Sequence, residues 1–111
     1  MRKPKDATTE GFEIRDDNDV IEITYTLTAG QEMDQSDTLR QGDFVTLRKE
    51  KKDVLVDSIQ RSDDTTFIGE IRSFPGYDKK TIKGTRLGDV ILFDINHVFS
   101  IVRTINLGPE L

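Results

Sequence analysis

The chain has 111 residues, with 16 Lys and Arg against 21 Asp and Glu, for a formal net charge of −5. That length fits one domain with a modest core of its own, and the negative balance opposes indiscriminate binding to nucleic acid. The absence of Cys excludes thiol chemistry and cysteine-based zinc sites, and no apolar run approaches the ~18 residues of a membrane-spanning helix.

Charge is unevenly placed. Residues 1–37 hold 4 basic and 10 acidic side chains, while residues 38–111 hold 12 and 11. The acidity therefore belongs to the N-terminal third. The charged start Met1-Arg2-Lys3-Pro4-Lys5 lacks the apolar segment of a signal peptide, so a soluble, cytoplasmic protein is expected.

Residues 1–11 are polar and carry no apolar period, which predicts a flexible tail. Phe12 and Ile14 alternate with charges as a weak strand. Asp16-Asp17-Asn18-Asp19 reads as a turn, because Asp and Asn side chains bond nearby backbone. Val20 to Leu27 is the clearest strand, with Ile21, Ile23, Tyr25 and Leu27 on one face. Residues 12–27 thus predict an N-terminal β-hairpin with one dry face, within a single domain over 12–111. Residues 28–41 have no clean period and read as a connection, or as one helical turn capped by Ser36 or Asp37.

From Gly42 onward five strands are expected: Phe44–Leu47, Val54–Ile59, Thr66–Phe74, Asp89–Phe93 and Val98–Ile105. Arg48–Asp53 reads as a charged connection and Arg61–Asp64 as a turn. Asp94–His97 fits a tight turn or a single 3₁₀ turn. Gly69, inside a strand, signals a bulge or a close approach. The stretch Leu39–Leu47 echoes Thr85–Phe93 around Gly-Asp, as expected of one good turn used twice before an apolar strand.

Five short strands in this arrangement resemble an SH3-like small barrel. The series Gly42-Asp43, Phe67-Ile68-Gly69-Glu70-Ile71, Gly88-Asp89-Val90-Ile91-Leu92-Phe93 and Asn96-His97-Val98 also resembles a bacterial domain of unknown function. The resemblance rests on turn and core residues, so it implies the fold alone: all-β, a small five-stranded SH3-like barrel with an N-terminal hairpin. A second segment, Lys80-Thr81-Ile82-Lys83-Gly84-Thr85-Arg86 before Gly88-Asp89, is similar to the pocket segment of RNA-associated barrels of the PUA and ASCH type. Those barrels carry an acidic residue where Lys83 stands.

Candidate chemistry is sparse. His97 is the lone histidine and reads as fixing a turn through backbone bonds, because an enzymatic role needs a nucleophile or an orienting carboxylate beside it. The Asp16–Asp19 cluster has the oxygens of a cation loop, but Ile21 and Leu27 stand where a calcium loop needs Gly and Glu. Glu70, Asp89 and Asp94 have no spacing that makes them an acid–base pair. No metal, no cofactor and no catalytic set is therefore expected. Binding residues are expected in loop 75–86 and at its entry: Phe74, Tyr77, Lys79, Lys80, Lys83 and Arg86. Cations with aromatics suit a phosphate backbone and stacked bases. Ile82 fits either a packed loop or two further short strands. Arg48, Lys49, Lys51 and Lys52 form a second basic cluster, diluted by Glu50 and Asp53.

The expected function is a non-enzymatic binding module that contacts a protein partner through the acidic patch Asp16, Asp17 and Asp19. The alternative is nucleic-acid binding through the basic loop. Charge placement separates them: basic clusters that share a face favour nucleic acid, and carboxylates around each cluster favour protein.

Overall fold

In the computed structural model, which describes residues 4–16, 18–25, 39–40 and 42–103, the central strands are those that the alternation requires. They are β3 (Phe44–Lys49), β4 (Lys52–Arg61), β5 (Thr66–Ser73), β8 (Val90–Asp94) and β9 (Ser100–Arg103). β1 (Lys5–Asp6) and β2 (Glu22–Tyr25) lie at the edges, and β6 (Thr81–Ile82) pairs with β7 (Thr85–Arg86) in a separate hairpin. The strand order is β1-β8-β5-β4-β3-β9-β2. The protein is all-β, and among the described residues it has one 3₁₀ turn, at Ile95–His97. Among the described residues no helix is long and apolar enough to cross a membrane.

Inward positions follow period two. β3 buries Val45 and Leu47, β5 buries Phe67 and Ile71, and β8 buries Ile91 and Phe93. Two bulges reset the phase. Between Asp57↔Glu70 and Gln60↔Ile68 β4 carries one extra residue, and Ser58 there takes φ 53°. The buried positions therefore step from Val54 and Val56 to Ile59. β5 carries its own extra residue between Val56↔Ile71 and Leu55↔Ser73, so Phe74 turns inward after Ile71. Gly69 lies against the β4 bulge: a Cβ there would meet Val56 Cγ1 at 2.4 Å and the Asp57 carbonyl at 3.0 Å.

The charged stretch Arg48–Asp53 is not a loose connection. Arg48 pairs with Asp53 and Lys49 with Lys52, so Glu50 and Lys51 alone turn the chain, at φ 54° and 62°. Two consecutive left-handed residues match the twist of a hairpin, although Asn and Gly are the usual occupants.

The edges correct three expectations. β2 pairs in parallel with β9, Glu22 opposite Ser100 through Tyr25 opposite Arg103. It does not pair with residues 12–14, where Phe12 bridges Lys49 instead. The N-terminal hairpin is thus replaced by a parallel edge strand, because Ile21 and Ile23 find their apolar cover against the core from that side. The expected tail is partly structured too: Lys5 and Asp6 pair in parallel with Ile91 and Leu92, and Ala7 is fully buried. Among the described residues these two strands bring the main sheet to seven, and the five-stranded barrel is not observed; β1 and β2 end the sheet there and do not pair with each other. The expected connection or helical turn over residues 28–41, and Leu27, Thr104 and Ile105, lie outside the described residues except for Leu39 and Arg40.

Candidate functional site

The basic loop is built on a hairpin. Thr81 pairs with Arg86 and Ile82 with Thr85, and Lys83 and Gly84 turn the chain at φ 42° and 85°. Ile82 points into the core and is 3 % exposed, so the two-short-strands reading holds. Lys79, Lys80, Lys83 and Arg86 all project to solvent. Phe74 does not: it is core, 5 % exposed, and the bulge in β5 explains why. Tyr77 is half-buried, edge-on to Phe74, with the Lys52 ammonium 5.2 Å from its ring centroid. That cation covers a ring face that a base would need for stacking.

The structure brings the second basic cluster to the same end of the sheet. Besides the Lys52–Tyr77 contact, Lys83 Nζ lies 3.9 Å from Glu50. Carboxylates stand among the cations. Arg48 pairs with Asp53 at 3.3 Å, and Glu13 accepts the Lys51 backbone N–H at 2.8 Å. Both placements named above thus occur: the clusters share an end, and acidic groups are interleaved with them.

Beneath this surface two lysines hold the β6–β7 turn by its carbonyls. Lys49 Nζ donates to Lys83 O at 3.0 Å and to Thr85 Oγ1 at 2.7 Å. Lys5 Nζ donates to Gly84 O at 3.1 Å and to Asp89 Oδ2 at 2.9 Å. Lys49 is 3 % exposed; burial lowers its pKa against the opposing pull of Glu10, and nearby Lys5 lowers it further. Burial pushes the Asp89 carboxyl up, but the Lys5 ammonium and the Arg86 N–H outweigh it, and the pKa falls below the ordinary value. Sequence reasoning took Lys49 for a surface residue, although it is in phase with Val45 and Leu47. For Lys5 the sequence carries no signal.

The Gly-Asp echo is one turn made twice. Asp43 Oδ2 accepts the Arg40 N–H at 2.9 Å, and Asp89 Oδ2 accepts the Arg86 N–H at 2.9 Å. Each Asp backbone N–H returns to the same partner's carbonyl, at 3.1 Å in both turns. Each carboxylate also meets a distant cation: Asp43 takes the buried Arg103 guanidinium through two bonds of 3.1 and 2.9 Å, and Asp89 takes Lys5.

The acidic turn is exposed at Asp16 and Asp19, and Asp17 lies outside the described residues. Asp16 Oδ1 accepts the Asn18 N–H at 2.9 Å, which closes the turn. Arg15 fixes it to the body: its backbone N–H reaches Asn96 O at 2.7 Å, Nε reaches Val98 O at 2.9 Å, and Nη1 reaches Asp19 O at 2.7 Å. Ile14 and Val20 flank the turn, exposed by 61 % and 88 %.

His97 is buried, and both ring nitrogens are engaged. Nδ1 accepts the Asp94 N–H at 3.0 Å, so Nε2 carries the proton and meets Thr8 Oγ1 at 3.2 Å. Asp94 in turn accepts the Asn96 N–H at 2.9 Å, a reciprocal cap of the 3₁₀ turn. Burial lowers the His97 pKa, against the Asp94 bond and the nearby Asp94 and Asp6 carboxylates. The ring is a neutral structural bracket. No protein family, curated protein or solved structure matches this chain.

Proposed function

We propose that this protein is a non-catalytic binding module that docks a protein partner through the acidic turn at residues 14–20. The observation that carries the reading is the pair Ile14 and Val20. They are the two most exposed large hydrophobic residues among those described, and they flank carboxylates on a turn fixed by three Arg15 bonds. An apolar contact with a charged rim on a rigid support is the usual anatomy of a protein interface. The partner presents apolar side chains among Lys and Arg. The engagement of His97 in structural bonds supports the non-enzymatic part of the reading. The reading includes an SH3-like kinship, supported by the central strands, which run β8-β5-β4-β3-β9 with the 3₁₀ turn just before the last of them in sequence.

The test is quantitative capture from nuclease-treated native lysate by the full chain and by two variants, Ile14→Ser/Val20→Ser and Asp16→Asn/Asp19→Asn, followed by titration of the purified captured protein. The apolar double variant is expected to weaken binding at least about tenfold, since each lost contact is worth on the order of 1 kcal/mol. The acidic double variant is expected to flatten the salt dependence of binding. Equal binding by all three proteins overturns the reading.

A further inference from the structure

We propose that the opposite charge on this molecule has a separate use: the end of the sheet formed by the β3–β4 turn and the β6–β7 hairpin is a contact surface for the phosphodiester backbone of a nucleic-acid duplex. Six cations belong to it: Lys51, Lys52, Lys79, Lys80, Lys83 and Arg86. The two turns are joined by the Lys49 bonds to Lys83 O and Thr85 Oγ1, so they form one rigid platform. Lys51, Lys79 and Lys80 are exposed and make no ion pair among the described residues. The carboxylates at this end include Glu10, Glu13, Glu50, Asp53 and Asp78. Four of them already serve local partners, namely Lys5, the Lys51 N–H, Lys83 and Arg48.

Two observations select a phosphate backbone over an acidic protein. The platform lacks an apolar centre, because Phe74 and Ile82 are buried and Tyr77 lies under Lys52. Lysine is depleted at protein interfaces, whereas it is a standard contact to phosphates. Lysine also occupies left-handed positions at both turn tips, Lys51 at φ 62° and Lys83 at φ 42°. With the Tyr77 face covered, bases do not stack and the surface reads backbone without sequence preference.

The experiment is fluorescence anisotropy on the full chain, with labelled DNA and RNA duplexes of about 20 base pairs, a DNA single strand and a poly-glutamate peptide as probes. Three or four neutralised phosphates predict a log–log salt slope of about −2.7 to −3.6, or roughly a hundredfold loss of affinity over a fourfold rise in salt. Lys51→Gln/Lys79→Gln/Lys80→Gln is expected to cut duplex affinity at least about tenfold with an unchanged melting temperature, and Lys→Glu at the same positions is expected to abolish it. Asp16→Asn/Asp19→Asn serves as the control and is expected to leave duplex affinity intact. The DNA and RNA arms show which duplex fits better. Absent duplex binding at low salt, affinity untouched by the lysine variants, equal or tighter binding of poly-glutamate, or preference for the single strand lost in Tyr77→Ala would each overturn the proposal.

Discussion

Gly69→Ala sets two opposing effects against each other. Elsewhere in an unstrained backbone, replacing Gly by Ala stabilises by about 0.4–1 kcal/mol, through a less disordered unfolded chain. Here the new Cβ would lie 2.4 Å from Val56 Cγ1 and 3.0 Å from the Asp57 carbonyl oxygen, against an ordinary carbon contact of about 3.5–4.0 Å. Val56 is fully buried, and the Asp57 carbonyl belongs to a strand bent by a bulge, so neither neighbour yields easily. Overpacking of this kind costs about 1–3 kcal/mol, and contact with fixed backbone places the net loss near 2 kcal/mol. For a domain of this size that is a fall in melting temperature of roughly 8–16 °C. Thermal denaturation followed by circular dichroism measures it. Val56→Ala in the same chain removes the Cγ1 collision, so the double variant is expected to be more stable than the summed single losses by about 1 kcal/mol. An unchanged or raised melting temperature for Gly69→Ala alone would refute the close-packing argument.

Two further changes probe the polar side chains that hold turns in place. The His97 pKa lies below its ordinary 6.5 in the folded protein, so below that pH the unfolded chain binds the proton more readily, and stability present at higher pH is lost as pH falls. His97→Gln is expected to lower stability near pH 8 yet to remove the extra loss that sets in as pH falls below the ordinary 6.5; parallel pH slopes for the two proteins would contradict this. Lys5→Met removes one grip on the β6–β7 turn and is expected to speed amide hydrogen exchange at Thr85 and Arg86 while leaving β3 and β4 unchanged, and uniform exchange rates would show that the turn does not depend on that lysine.

Much of this architecture could be read from residue order because it depends on local alternation. The five central strands left such a signal, while turn chemistry marked Asp94–His97 as a tight turn or a 3₁₀ turn and Gly69 as a bulge or a close approach. What escaped was non-local or out of character. The two residues of β1 have no apolar alternation, and their place in the sheet is set by Ile91 and Leu92 far along the chain. A strand as apolar as Ile21–Tyr25 declares itself, but nothing in it specifies β9 as neighbour or parallel as direction. Lys49 and Arg103 sit on inward positions of clear strands, yet their charge argues for the surface; burial is tolerable only because Thr85, Lys83 O and Asp43 receive them. Phe74 was misplaced because a bulge shifts the phase by one, and a single extra residue leaves no mark in the pattern. The exposed lysines and the acidic turn were legible because solvated charges need no partner to be recognised.

The parallel edges also set an order of assembly. β3, β4 and β5 follow one another through short turns and can form as a local meander as soon as they exist. Lys5 must wait for Ile91, and Ile23 for Ile101, so both edges close at the expense of long chain loops and come late. During synthesis from the N-terminus, Ile21 and Ile23 stay without their β-strand partner until nearly the whole sequence shown has been made. The acidic residues that crowd this part of the chain then have a second consequence: they keep its waiting apolar strand in solution and away from other nascent chains.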